Sequence, residues 1–211
     1  MRLYYSPGAC SLASHIVLEE TGLPFEAVRT PVFEGAHRTP EFRAINPRGF
    51  VPALEEDGRV LTENAAIMLH LAHRRPEAGL LPKEPEPLGR CLEWLSWQAS
   101  TAHIAFAQHW RPERFADGEE ERRVVVAGAG PRIRRVLAEI ESWLAKHPYA
   151  AGDVYSIADP MFLVLYRWGW RVDEPVGPEA FPAWTAHIER VTARPAVRRV
   201  LEREGINLFR S

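Results

Sequence analysis

A chain of 211 residues with 46% apolar side chains can hold one large domain or two small ones and has material for a full core. Its 26 basic and 28 acidic residues are mixed along the sequence and leave a formal charge of −2, which excludes the basic field that nucleic-acid binding requires. No secretion-type leader follows Met1, no apolar run reaches membrane-spanning length, and Cys10 and Cys91 are the only cysteines, so a cytoplasmic protein with reduced thiols and no membrane partner is expected.

Residues 2–5 and 26–30 are short, aromatic and β-branched enough for strands, and 11–22 between them carries Leu12, Ile16 and Leu23 at near-helical spacing. A weakly helical stretch covers 38–45. The runs 51–56 and 59–62, joined by Asp57-Gly58, read as a hairpin with a type I′ turn, and Thr62 is expected to cap a helix through Leu71. The order β-α-β, loop, β-β-α is that of a thioredoxin-like domain, drawn at residues 1–75.

Four prolines between Arg75 and Pro87 predict a stiff linker at 76–87. Beyond it, 88–211 reads as an all-helical domain, with helices at 88–110, 119–127, 157–168, 181–193 and 195–204. Ile133, Val136, Leu137, Ile140 and Leu144 form one apolar stripe, and Gly128-Ala129-Gly130-Pro131 is expected to break the helical pattern before it. Ser156 and Asp159 form a capping-box-like helix start, which is a folding signal.

Cys10 lies between the first strand and the first helix, where unpaired amides favour an anion and can depress a thiol below its ordinary value of about 8.5. Position 13 is alanine, so no dithiol motif is present and any redox cycle needs an external thiol. Val51-Pro52 opens a strand at a place that admits a cis bond, and Glu63 at a helix start can meet an ammonium group while nearby amides meet a carboxylate. Ser96, Ser100 and His103 share one polar line of the 88–110 helix, and Trp97 and Trp110 are candidates to border a pocket. Eight histidines without cysteine at metal-ligand spacing predict no metal site.

Taken together, Tyr5-Ser6-Pro7-Gly8-Ala9-Cys10-Ser11, Ala44-Ile45-Asn46-Pro47-Arg48-Gly49, Val51-Pro52-Ala53-Leu54, Leu61-Thr62-Glu63 and Ser156-Ile157-Ala158-Asp159 resemble the cytosolic glutathione transferases. The N-terminal string is most similar to the bacterial beta class, in which cysteine stands where other classes have tyrosine or serine. The resemblance implies glutathione as co-substrate rather than a resident cofactor, a small hydrophobic electrophile or disulfide as second substrate, a role in detoxification, and a homodimer. It implies a catalytic set of Cys10, Ser11 and Tyr5, and a glutathione site of Ala9, Cys10, Phe50, Val51, a cis Pro52, Glu63, Asn64, Ser96 and His103. Family members of this class commonly place lysine after the histidine matched by His103, where this chain has Ile104. Two other readings share the fold: a non-catalytic binder of glutathione or hydrophobic ligands, and a specialised glutathione-dependent isomerase, dehalogenase or lyase.

Overall fold

The computed structural model describes residues 1–172 and 177–208. Strand β1 (Arg2–Tyr5) leads through a tight loop into α1 (Ser11–Thr21), and β2 (Glu26–Arg29) returns parallel to β1. Two short 3₁₀ turns, 32–34 and 36–38, precede α2 (Pro40–Ile45), which Thr39 caps by accepting from the Phe42 amide at 3.3 Å. β3 (Ala53–Glu56) and β4 (Arg59–Thr62) complete a sheet ordered β2-β1-β3-β4, with β3 antiparallel to both neighbours. Asp57 and Gly58 have φ of 49° and 73°, the two positive values of the expected type I′ hairpin turn. α3 (Asn64–Arg74) closes this thioredoxin-like half.

The second half is helical: α4 (Pro85–Trp97), α5 (His103–Trp110), α6 (Glu119–Leu144), α7 (Asp159–Gly169), α8 (Pro182–Thr192) and α9 (Pro195–Glu204). Its elements pack on α1, which touches α3 on one side and α7 and α9 on the other. That position explains why every residue from Ser11 to Leu18 is buried and why the helix has no polar face. One apolar cluster runs through both halves, from Leu3 and Leu54 by way of Leu12 and Ile16 to Phe106, Leu137, Phe162 and Trp184. No described helix is long and apolar enough to cross a membrane.

The structure corrects four expectations. Residues 119–144 form one helix, continuous through Gly128 to Pro131. Proline inside a helix removes one hydrogen bond and costs roughly 3 kcal/mol. Here the buried stripe of Ala129, Ile133, Val136, Leu137 and Ile140 runs past the exposed proline and offsets that cost. The helix read at 88–110 contains a widened π turn over 98–102, after which α5 starts at His103. Pro85 and Pro87 belong to the first turn of α4 rather than to a linker, since an N-terminal turn has no donor for proline to lose. Thr62 is the last residue of β4, and Glu63 caps α3 instead. Residues 209–211, included in the helical half on sequence grounds, lie outside the described residues.

Candidate active site

The loop from Tyr5 to Ser11 is built from both halves of the chain. Ser11 is fully buried; its Oγ accepts from the Ser6 amide at 3.0 Å and donates to the Ser6 carbonyl at 3.2 Å, closing the loop onto itself. Gly8 adopts φ +67°, a conformation that favours glycine, and a Cβ there would lie 2.5 Å from the Arg167 guanidinium carbon and displace the end of that side chain. Its carbonyl accepts from Arg167 Nη1 and from Trp168 Nε1, each at 3.1 Å, and its amide donates to Glu204 Oε2 at 2.9 Å. The other Glu204 oxygen lies 2.7 Å from His15 Nδ1, and Arg203 Nη1 lies 3.2 Å from His15 Nε2. Arginine can only donate, so Nε2 accepts and Nδ1 carries the hydrogen directed at Glu204.

Cys10 stands where this loop enters α1, with its Sγ donating to the Val51 carbonyl at 3.5 Å. Val51-Pro52 is a cis peptide, and both residues are buried. Asn46, itself buried, donates from Nδ2 to the Phe50 carbonyl at 2.8 Å and shapes the segment that carries Phe50 and Val51. Asn64 bridges the two helix starts: its Nδ2 donates to the Cys10 carbonyl at 3.0 Å and its Oδ1 accepts from Ser14 Oγ at 2.6 Å. Glu63 holds a positive φ of 72° with its carboxylate exposed and 3.4 Å from Arg48 Nη1. A pair so exposed contributes little, and it leaves the carboxylate open to a cationic ligand.

The structure therefore brings Cys10 together with Val51 and Asn64, and Ala9, Phe50, Pro52 and Glu63 adjoin them in the chain. Ser11, expected to serve the thiolate, is fully buried, and its O–H is directed at the Ser6 carbonyl. Tyr5 is buried with its ring 4.8 Å from His15, in the cluster beneath α1, and burial raises its phenol above the ordinary value. Ser96 is exposed on α4 and returns its hydroxyl to the Leu92 carbonyl, so no contact in the structure brings it to Cys10. His103 is linked to the Cys10 loop through Trp168: its ring meets Trp168 edge-on at 5.4 Å, and Trp168 holds Gly8. Trp110 packs on Trp168 in the same group, whereas Trp97 borders a separate outer groove with Trp94 and Trp143. Glu204, His15, Arg167 and Trp168 were missed by sequence reasoning; the polar His15 inside the apolar run of α1 was the one local hint.

The electrostatics also depart from the expected low-pKa thiol. Burial pushes Cys10 up to about 11, outweighing the lowering by Asn64 and by the amides at the start of α1. His103 is driven down to about 4, first by desolvation and then by the Arg114 charge. A base whose folded pKa is depressed contributes stability that is complete above its unfolded pKa of about 6.5 and disappears as pH falls through the folded value, a loss of about 3 kcal/mol in full. His103→Gln is thus expected to flatten the fall in denaturation free energy between pH 6.5 and 4, as read by urea melts across that range. An unchanged slope would mean that other groups carry it.

A thioredoxin-like half with a cis-proline opposite a helix-start thiol, joined to a helical half that clamps the thiol's loop, defines the class of protein that presents a thiol-bearing ligand to a second pocket. Residues 8–74 match the glutathione S-transferase N-terminal domain and residues 81–195 the C-terminal domain of the same family. The chain belongs to the glutathione S-transferase family. It is 34% identical to glutathione S-transferase GstA of Escherichia coli O157:H7 over 98% of this chain and all of that one. It is similar to a glutathione transferase homologue from Sulfitobacter solved with bound glutathione, with a TM-score of 0.89, 32% identity, and 97% and 98% of the two chains covered. A bacterial beta class enzyme from Sphingomonas chungbukensis gives a TM-score of 0.82 at 34% identity over 98% of this chain and 100% of that one.

Proposed function

We propose that the protein conjugates the sulfur of glutathione to small hydrophobic electrophiles, with the Cys10 S–H acting as a hydrogen-bond donor rather than as the nucleophile. The observation that carries this reading is the half-buried thiol of Cys10 at the cis Val51-Pro52 step, where its Sγ donates to the Val51 carbonyl at 3.5 Å and desolvation pushes the thiol up to about 11. In this reading the backbone of Val51 pairs with the cysteinyl part of glutathione, and Glu63 with the start of α3 holds the γ-glutamyl end. Asn64 acts by fixing the Cys10 carbonyl. Residues 1–75 form the glutathione-binding part and the helices after it border the second substrate. A homodimer in the cytoplasm, engaged in detoxification, completes the proposal.

Glu63→Gln keeps the size of the side chain and the strained backbone position while removing the charge. Charge-assisted bonds are about twice as strong as neutral ones, so affinity for glutathione is expected to fall by about tenfold. Retention on immobilised glutathione and the KM for glutathione read this directly, and wild-type values would remove Glu63 from the site. Turnover of 1-chloro-2,4-dinitrobenzene tests the reaction itself. A protein that binds glutathione but turns over neither this compound nor hydroxyethyl disulfide nor an organic peroxide is a binder, and the proposal fails.

A further inference from the structure

Beside the Phe50-Val51 segment stand two arginine–phenylalanine pairs whose members come from opposite halves of the chain. Phe33 lies in the turn after β2, and Phe50 immediately precedes Val51. Arg111 and Arg114 flank the short turn that follows α5. The Arg111 guanidinium carbon stands 5.2 Å from the centre of the Phe33 ring, and that of Arg114 stands 4.9 Å from Phe50. Both rings are strongly exposed, Phe33 at 75% and Phe50 at 49%.

Among the described residues neither arginine has a carboxylate within ion-pair distance, although the nearby Arg29 and Arg48 are paired with Glu34 and Glu63. Both arginines are near enough to act on buried or half-buried histidines: after desolvation, Arg114 lowers the His103 pKa and Arg111 contributes with Arg38 and Arg43 to the lowering at His37. His37 is buried, and its Nδ1 has no hydrogen-bond partner among the described residues. An exposed cation–π pair is weaker than a bidentate guanidinium–carboxylate contact, so an anion can take the guanidinium while the ring stays available as apolar surface.

Building on the transferase reading, we propose that Arg114, assisted by Arg111, selects second substrates that carry a carboxylate on an aromatic electrophile. Arg114 fixes the carboxylate and Phe50 faces the ring. In the reaction the glutathione sulfur attacks the ring carbon bearing the leaving group; the C–S bond forms, the C–Cl bond of a chloroarene breaks, chloride departs with the bonding pair, and the thiol proton passes to solvent.

The test compares 4-chloro-3,5-dinitrobenzoate with its methyl ester, each kcat/KM divided by the uncatalysed rate with glutathione. The wild-type protein is expected to favour the carboxylate, and the preference should shrink with added salt. Arg114→Gln is expected to reduce the carboxylate-to-ester ratio by about tenfold, Arg111→Gln by about threefold, and Arg114→Lys less than Arg114→Gln, because lysine keeps the charge but not the fork. Quenching of tryptophan fluorescence by 3,5-dinitrobenzoate and by its methyl ester gives the same comparison without turnover. A ratio unmoved by Arg114→Gln in both measurements overturns the proposal. So does a rise in the KM for glutathione that is equal with both electrophiles, since Arg114 would then serve glutathione itself. Wild-type protein that turns over neither chloroarene yet binds the benzoate in an Arg114-dependent way would sink the transferase reading and leave the anion selection standing.

Discussion

Replacing Glu204 with alanine is expected to destabilise the protein by about 3 kcal/mol and to release the loop that carries Cys10, though the two residues are 194 positions apart in sequence. The Glu204 carboxylate is fully buried and accepts two bonds, from the Gly8 amide at 2.9 Å and from His15 Nδ1 at 2.7 Å. Truncation leaves both donors unpaired in the interior, and each buried unsatisfied donor costs roughly 1–3 kcal/mol. For a chain of this length the thermal midpoint should fall by roughly 6–12 °C. Glu204→Gln distinguishes a loss of acceptors from a loss of volume: its amide oxygen can serve one donor, but its NH₂ then faces the other, so it should lie nearer to alanine than to wild type. Activity should fall further than stability explains, because Gly8 would keep its bonds to Arg167 and Trp168 while losing the one that fixes its amide. A folded Glu204→Ala protein with the wild-type melting point and kcat would remove α9 from the support of the site.

The legible parts of this chain are those whose causes are local. The Asp57-Gly58 turn, the stripe from Ile133 to Leu144 and the helix at 195–204 are each specified by residues within a few positions of one another, and each stands where the pattern put it. Pro131 misled because a local rule about proline was outweighed by apolar burial on both sides of it, a tertiary effect. The candidate site followed the same division. Cys10 and the Val51-Pro52 step carry their own signal, but the support of Gly8 comes from Arg167, Trp168 and Glu204, which no short window contains. The surroundings of Ser11 and Tyr5 were hidden for a related reason: residue type and neighbourhood do not reveal that the Ser11 hydroxyl meets the Ser6 carbonyl or that the Tyr5 ring packs 4.8 Å from His15.

Cys10 is expected to alkylate slowly at neutral pH in the absence of glutathione, the opposite of what a thiol at a helix start suggests. At pH 7.5 a free thiol of pKa about 8.5 is roughly a tenth thiolate, whereas one held at about 11 has about 300-fold less of that form. The more basic thiolate is intrinsically the better nucleophile by about tenfold, from a Brønsted slope of about 0.4–0.5, so the net reaction with iodoacetamide should be roughly 20–30-fold slower than for a free cysteine. The rate should climb about tenfold per pH unit from pH 6.5 to 9.5, with no plateau, as followed by peptide mapping that separates Cys10 from the buried Cys91. Stability carries the same signature with its own sign. An acid whose folded pKa is raised favours the folded state below its unfolded value, and that contribution is lost as pH rises through the folded one, so the Cys10→Ala protein should lose less stability than wild type between about pH 8.5 and 11. With Cys10 protonated, conjugation should survive Cys10→Ala in part, since the reacting sulfur belongs to glutathione, while exchange with hydroxyethyl disulfide through a Cys10 adduct should vanish. Rapid alkylation that levels off below pH 8, or conjugation lost as completely as disulfide exchange in a folded, glutathione-binding Cys10→Ala protein, would overturn the assignment of Cys10 as a donor and return it to the role of nucleophile.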